Sequence, residues 1–304
     1  MIISRTPFRV SLFGGGTDYP DWFLENGGSV IGMTIDKYCY LSVRYLPPFF
    51  KHKHRIVWSR IELVDDINEI EHPAVRTILK EKQFNTGLEI AYNADLPARS
   101  GLGTSSSFSV GLINALNALN GQMSSKKELA DEAIRIEQEI MLESVGSQDQ
   151  VWAAYGGFNR ISFNSDGSYE VSPILVTKKQ RKELLGSFML FFTGFSRYSG
   201  KLAERQIANF KNKNKELNLI NDFTNDATKI LQENTGIVTN LGHLMHEGWQ
   251  IKRELAEGVS TPEIDEIYDA GIEAGATGGK LLGAGGGGFM LFIVQPENQT
   301  AVRN

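Results

Sequence analysis

Residues 97–111, PARSGLGTSSSFSVG, constrain the fold of this chain more than any other stretch. The segment before it, residues 88–93, has the apolar pattern of a strand, and Pro97 cannot extend a strand ladder. Apolar residues then recur with helical spacing from Phe108 to Leu119. Residues 101–107 are therefore expected to form a loop between a strand and the N-terminus of a helix.

A loop of this kind has the chemistry of an anion site. The first N–H groups of a helix are unpaired and carry partial positive charge, and glycines let the backbone approach a ligand closely. A helix cap needs one hydroxyl, whereas residues 104–107 supply four in a row. We therefore favour a bound phosphate group, while the simpler interpretation of a capped helix and a glycine turn stays open.

Neither of two common nucleotide motifs accounts for the loop. A Walker loop needs Lys-Ser/Thr after its last glycine, and Thr104 and Ser105 stand there instead. The one formal G-x-G-x-x-G, Gly283–Gly288, precedes a strand, although a dinucleotide fingerprint follows a strand and opens a helix.

Composition excludes several broad classes of protein. The net charge of −5 and pI of about 5.7 argue against nucleic acid as the main partner, and the basic run at 51–55 is interpreted as a solvated loop. The single cysteine, Cys39, excludes an internal disulfide and a multi-cysteine metal site. Residues 1–16 lack a signal-peptide pattern, and no apolar run is long enough to span a membrane. We expect a cytoplasmic protein.

The order of predicted elements indicates an α+β chain of two domains. Strand-like segments precede two helical stretches, 107–120 and 126–144, in the first part. Beyond residue 180, a strand precedes three polar-faced helices. A further helix is expected to have Thr261 as its N-cap and Pro262 in its first turn, and the last strand is predicted at 289–294. The predicted domains are residues 1–180 and 181–304.

Three motifs, in this order, resemble those of the GHMP small-molecule kinases. They are RVSLFGGGTDY at 9–19, PARSGLGTSSS at 97–107 and GGKLLGAGGGGF at 278–289. The resemblance covers nearly the whole chain. It implies an N-terminal domain with a left-handed βαβ unit, a C-terminal ferredoxin-like α/β sandwich, and ATP and Mg²⁺ as cofactors.

The resemblance also implies roles for the loop and the next helices. Ser105 occupies the position that meets Mg²⁺, and a carboxylate from the following helix completes the site. At 100° per residue Glu137 falls inside an apolar stripe whereas Glu139 points away, so Glu137 is the expected ligand, with a buried salt bridge as the alternative. The residues expected to bind the nucleotide are Pro97, Arg99, Ser100, Gly101, Leu102, Gly103, Thr104, Ser105, Ser106 and Ser107.

Two further residues are expected to be catalytic. Asp149 occupies the aspartate position of the family's G-x-x-D-Q type segment, where the carboxylate takes or orients the proton of the acceptor hydroxyl. Without the other motifs, a helix or turn cap would be the simpler interpretation of Asp149. Arg9 occupies the basic position of the first motif, where it can stabilise the transferring group.

The first motif also bears on the substrate. Asp18 matches the family's sugar-binding aspartate, although Gly15 and Gly16 replace the Glu-His of the galactokinase form. The form GGGTDYPDW is most similar to that of sugar 1-kinases acting on D-glycero-D-manno-heptose 7-phosphate, with fucokinase-type domains next. A galactokinase type and a non-catalytic sugar- or nucleotide-binding relative stay open. The residues expected to bind substrate are Gly15, Gly16, Thr17, Asp18, Tyr19, Gly285, Gly286 and Gly287.

A sugar phosphate needs a second anion site. Lys37, Arg99, Arg160 and Arg197 lie in or near the motifs and are the candidates for it. Trp22 can pack on a sugar face, but a core position is the simpler expectation. The expected partners are a small-molecule sugar phosphate and ATP, with neither nucleic acid nor a membrane, and a homodimer stays open.

Overall fold

The computed structural model of the protein describes residues 1–195, 199–233 and 235–304. Their elements form a mixed α+β arrangement, as the order of predicted segments indicated. The strands are β1 Ile2–Phe13, β2 Gly28–Tyr45, β3 His54–Val57, β4 Ile61–Val64, β5 Leu88–Ala94, β6 Phe158–Phe163, β7 Tyr169–Pro173, β8 Phe188–Phe192, β9 Ala276–Leu281 and β10 Phe289–Val294. The helices are α1 Pro20–Asn26, α2 Pro73–Glu81, α3 Thr104–Leu119, α4 Lys126–Arg135, α5 Gln148–Tyr155, α6 Lys178–Ser187, α7 Ser199–Asn209, α8 Asn214–Ile230, α9 Ile237–Lys252, α10 Pro262–Glu273 and α11 Gln299–Arg303.

The backbone divides into two units, each built from several segments. Unit 1 comprises residues 1–9, 34–98 and 103–156, and unit 2 comprises residues 10–33, 99–102 and 157–304. Both units differ from the predicted domains 1–180 and 181–304, which assume one continuous segment each. The boundary near residue 180 stays a prediction for the domain organisation.

Unit 1 packs α2–α5 with strands of a sheet. Within it β5 pairs antiparallel with the second half of β2 and parallel with β3, and β4 lies at the edge. Helix α4 begins at a capping box, in which Ser125 and Glu128 satisfy each other's backbone N–H groups. Helix α3 is almost wholly buried and contacts α2, α4 and α5, which fixes the direction of its N-terminus.

Unit 2 contains two groups of strands. The first half of β2 pairs with β6, and β6 pairs with β7. Farther along the chain, β8, β10 and β9 form an antiparallel sheet, against which α9 and α10 pack through Trp249, Tyr268 and Phe292. Thr261 caps α10 and Pro262 occupies its first turn, as the sequence predicted.

Most predicted elements are confirmed, and the differences have physical reasons. The predicted helix 126–144 is α-helical only to Arg135, and residues 136–140 form a π-helical turn. The interpretation of 51–55 as a solvated loop is wrong in part, because His54 begins β3 and is buried. Among the helices that the structure describes, none combines the length and apolar character needed to cross a membrane.

Candidate active site

The start of α3 has the geometry of an anion site. Gly103 is the N-cap of the helix in the left-handed conformation, with φ of 71°, and no side chain caps the helix. The first-turn N–H groups are therefore not satisfied by a serine or threonine cap, which removes the simplest alternative for the hydroxyl-rich run. Glycine is favoured at residue 103 by its positive φ, and an added Cβ would crowd the side chains next to it.

Those neighbouring side chains are Arg9 and Asp149. Arg9 donates from Nε to Asp149 Oδ1 at 2.8 Å and from Nη2 to Oδ2 at 2.7 Å, a bidentate ion pair. The Arg9 side chain is only 6% exposed, whereas the Asp149 side chain is 25% exposed. A Cβ added at Gly103 would lie 3.1 Å from Arg9 Cγ and 3.5 Å from Asp149 Oδ2. The pair is therefore fixed against the N-terminus of α3, with a carboxylate edge still accessible.

Glu137 is a buried carboxylate behind the same helix. It is 1% exposed, and its Oε2 accepts hydrogen bonds from Ser106 Oγ at 2.8 Å and Gln150 Nε2 at 2.5 Å. Burial raises the pKa of Glu137 to about 7, against a lowering by the Ser109 and Ser106 hydroxyls. Glu139 is exposed. The expected orientation of the two glutamates is confirmed, although a π-helical turn rather than a regular helix positions Glu137.

The serines of the loop have different surroundings from one another. Ser105, the predicted metal ligand, is exposed in the first turn of α3, and Thr104 is buried. Ser106 makes the hydrogen bond to Glu137, and Ser107 donates to the carbonyl of Pro7 at 2.9 Å. The sequence did not identify the contact between Ser106 and Glu137. Which of several adjacent serines reaches a carboxylate depends on where that carboxylate lies in the fold, and the sequence alone does not give that position.

The carboxylate and hydroxyl groups around Glu137 would give a metal ion only a few protein ligands. Glu137 Oε1 is buried and has no hydrogen bond of regular geometry among the described residues, although the Ser109 hydroxyl is near enough to lower the pKa of this carboxyl, so the oxygen still has room for a stronger partner. No group of three or more His, Cys, Asp or Glu in the described ranges forms a metal cluster. This pattern fits Mg²⁺, which commonly takes one or two carboxylates and completes its shell with phosphate oxygens and waters.

In unit 2, residues 99–102 lie against the late glycine run. Phe289 N donates to Ser100 O at 3.1 Å, and a Cβ on Gly101 would lie 2.4 Å from Leu282 O. A Cβ on Gly283 would lie 2.8 Å from Gly101 Cα. Glycines at these two positions are needed because the two backbones approach too closely for any side chain. Arg99 and Pro97 are exposed, and Leu102 is fully buried.

The predicted substrate glycines 285–287 also have a packing role. A Cβ on Gly285 would lie 2.7 Å from Val259 O, and a Cβ on Gly287 would lie 2.9 Å from Phe195 O. Gly286 N donates to Val259 O at 3.0 Å. Backbone packing therefore accounts for this glycine run, and its contact with substrate stays a prediction.

The loop of the first motif, residues 14–19, places a carboxylate among backbone groups. Asp18 is 1% exposed, and its Oδ1 accepts from Gly16 N at 3.0 Å. Thr17 shapes the loop, because its hydroxyl donates to the carbonyls of Gly14 and Ser29 at 2.9 and 3.0 Å. Tyr19 packs edge-on against Phe210. Trp22 packs against the same ring and is 3% exposed, which confirms its core position.

The candidate residues for a second anion site differ in their exposure and contacts. Lys37 and Arg99 are exposed, and Arg197 lies outside the described residues. Arg160 is half-buried on β6 and donates to Asn225 Oδ1 at 2.7 Å and to Thr228 Oγ1 at 3.2 Å. Arg160 thus has a defined set of hydrogen-bond acceptors within unit 2.

Comparisons with known proteins identify the family of this chain. The model of the GHMP kinase N-terminal domain matches residues 68–157, and that of the GHMP kinase C-terminal domain matches residues 231–304. A D-glycero-alpha-D-manno-heptose 7-phosphate kinase from Campylobacter jejuni is 29% identical over 98% of this chain and 91% of its own length. An L-fucokinase/L-fucose-1-P guanylyltransferase from Bacteroides fragilis is 27% identical over 100% of this chain, which spans only 35% of that relative.

A solved structure shows the same fold. It is a D-glycero-D-manno-heptose 1-phosphate kinase from Bacteroides thetaiotaomicron, with a TM-score of 0.79 and 24% identity over 99% of this chain and 91% of that one. The motifs, the fold and both domain models point to one family. The chain belongs to the GHMP kinases and is a phosphotransferase with an alcohol group as acceptor.

Proposed function

We propose that this protein is an ATP-dependent sugar 1-kinase. Its substrate is D-glycero-D-manno-heptose 7-phosphate, and its product is the 1,7-bisphosphate used in nucleotide-activated heptose synthesis. The observation that carries the proposal is the bidentate pair of Arg9 and Asp149, which lies against Gly103 at the uncapped N-terminus of α3. This arrangement combines an acceptor-activating carboxylate with a phosphate-binding helix end.

The transfer uses Asp149 and Arg9 in distinct ways. The anomeric hydroxyl gives its proton to Asp149 as its oxygen forms a bond to the γ-phosphorus of ATP, and the bond from that phosphorus to the β,γ-bridging oxygen breaks to release ADP. Arg9 holds the carboxylate of Asp149 in one orientation through two hydrogen bonds. The carboxylate is therefore already oriented before the substrate binds, although it is partly exposed. The guanidinium also supplies positive charge next to the helix end.

The nucleotide phosphates are bound by backbone as well as side chains. Residues 103–107 contain the start of α3, whose N–H groups and partial positive charge favour an anion. Glu137 and Ser106, which share a hydrogen bond, would hold Mg²⁺, with the exposed Ser105 as the other hydroxyl ligand. When bound, Mg²⁺ neutralises charge on the phosphates during transfer.

The sugar is assigned from Asp18 and from the relatives. A carboxylate can accept hydrogen bonds from two vicinal hydroxyls, and Asp18 is held in the motif loop by Gly16 N. A relative named as a heptose 7-phosphate kinase covers almost the whole chain, whereas the relative named as a fucokinase is much longer. Fucose is therefore the second acceptor to test.

A coupled ADP-release assay tests the proposal. The purified protein is given ATP and Mg²⁺ with heptose 7-phosphate, fucose, galactose or mevalonate as acceptor. We expect the highest kcat/KM with heptose 7-phosphate. A preference for another acceptor would replace the substrate assignment, and no ADP release above background with any acceptor would contradict the proposal as a whole.

A further inference from the structure

A row of polar side chains lies on the inner side of α8, where apolar residues are usual. Asn221, Thr224, Asn225 and Thr228 follow the spacing i, i+3, i+4, i+7, which places them on one face of the helix. Each of them contacts Ser29 or Arg160, which lie on the paired strands β2 and β6. We call these six residues the α8 polar cluster.

Arg160 is the one charged member of the α8 polar cluster. Its guanidinium donates to Asn225 Oδ1 at 2.7 Å, Thr228 Oγ1 at 3.2 Å and Ser29 Oγ at 3.4 Å. All three acceptors are neutral, and among the residues that the structure describes no carboxylate pairs with Arg160. A half-buried guanidinium without an acid is unusual, because desolvated charges are normally compensated.

The cluster is also connected to the predicted sugar-binding loop. Ser29 N donates to Thr17 Oγ1 at 3.2 Å, and Thr17 Oγ1 donates back to Ser29 O at 3.0 Å. Asp18, the proposed ligand of the sugar hydroxyls, is the next residue along the chain. The charge of Arg160 is thus joined to Asp18 through only two intervening residues, Ser29 and Thr17.

We propose that the α8 polar cluster binds the distal phosphate of the sugar substrate, with Arg160 as its charged ligand. This inference rests on the proposed function and names the part of the substrate that the cluster recognises. A guanidinium presents a planar fork that matches phosphate oxygens. The Nδ2 groups of Asn221 and Asn225 can donate to the remaining oxygens, because the hydrogen bonds within the cluster use only the Oδ1 atoms of these amides. The missing acid beside Arg160 is then explained, because the substrate supplies the negative charge.

The first test compares Arg160→Gln and Arg160→Lys with the wild-type protein. We expect Arg160→Gln to raise the KM for heptose 7-phosphate by about 10- to 100-fold, as for loss of a hydrogen bond to a charged group. The KM for ATP should change less than about threefold, because the cluster does not bind the nucleotide. Arg160→Lys should recover part of the loss, since it keeps the charge but not the fork.

A second pair of variants decides the question even if Arg160→Gln does not fold. Asn225→Asp places a carboxylate against Arg160 and should repel the substrate phosphate, whereas Asn218→Asp adds the same charge at an exposed site on the same helix. Unphosphorylated D-glycero-D-manno-heptose serves as a competitor against heptose 7-phosphate. We expect Asn225→Asp to raise the KM for heptose 7-phosphate by about tenfold or more. The inhibition constant of the neutral heptose should stay within about threefold of its wild-type value, because this sugar has no phosphate for the new carboxylate to repel.

The outcomes separate this inference from the proposed function. The inference is wrong if Asn225→Asp and Asn218→Asp have the same KM for heptose 7-phosphate. It is also wrong if Asn225→Asp weakens the binding of heptose 7-phosphate and of neutral heptose by the same factor. In both cases the cluster only anchors α8. In either case, a wild-type protein that phosphorylates heptose 7-phosphate leaves the proposed function intact. A wild-type protein that transfers phosphate to no sugar would overturn both.

Discussion

The buried carboxylate of Glu137 gives the sharpest stability prediction. The variant Glu137→Gln keeps the shape of the side chain and removes its charge. Glu137 is 1% exposed, and its pKa is raised from 4.5 to about 7, mainly by burial. The folded protein therefore holds this proton more tightly than the unfolded chain does.

The sign and size of the effect follow from the two pKa values. A raised carboxyl pKa stabilises the fold fully below about pH 4.5, and this contribution is lost as the pH rises towards 7 and beyond. At about 1.4 kcal/mol for each unit of pKa, the full loss is about 3 kcal/mol, of which about 2 to 3 kcal/mol falls between pH 5 and pH 8. Glu137→Gln carries no such charge, so its free energy of unfolding should gain about 2 to 3 kcal/mol relative to wild type over that interval.

The measurement is chemical denaturation of both proteins at pH 5 and pH 8, with a chelator present so that no divalent cation contributes. Glu139→Gln is the control, because Glu139 is an exposed glutamate of the same helical turn. The difference between wild type and Glu139→Gln should stay nearly constant with pH. A difference between wild type and Glu137→Gln that is equally flat would refute the reasoning about the buried carboxylate.

Three further predictions concern the site itself. Asp149→Asn should leave ATP affinity nearly intact in a titration while kcat falls by about a hundredfold or more; an unchanged rate would remove Asp149 from the proton transfer. Gly103→Ala and Gly121→Ala both place a side chain at positive φ and should each lose about 1 kcal/mol of stability. Only Gly103→Ala should also lower kcat, by about tenfold or more, because a Cβ at Gly121 meets nothing within 4 Å; equal kcat values would contradict this. Ser106→Ala should weaken activation by Mg²⁺ more than Ser105→Ala does, and the reverse order in a Mg²⁺ titration would favour Ser105 as the metal ligand.

Much of the fold follows from local sequence patterns. The last strand was predicted with its observed bounds, Phe289–Val294, and Thr261 was identified as the cap of α10. Both depend on residues within a few positions of one another, namely an apolar run and a cap-proline pair. The burial of Glu137 was also predictable, because helical periodicity placed it among apolar residues.

Features that depend on residues far apart in the chain could not be predicted from the sequence patterns. The first half of β2 pairs with β6 while its second half pairs with β5, so the length of this strand depends on two distant partners. His54 belongs to a basic run but is buried, because its strand pairs with β4 and β5. The contact between Arg9 and Asp149 joins residues 140 positions apart, and only the resemblance to a family had suggested that both belong to one site.

The position of the transferred phosphate tests the central claim most directly. The wild-type protein and Asp149→Asn are each incubated with ATP, Mg²⁺ and heptose 7-phosphate, and the products are followed by phosphorus-31 NMR. The proposed activity predicts a new phosphate resonance coupled to the anomeric proton, appearing with wild type and about a hundredfold more slowly with Asp149→Asn. A phosphate coupled to any other sugar position, or equal rates for the two proteins, would contradict the assignment of Asp149 as the group that activates the anomeric hydroxyl.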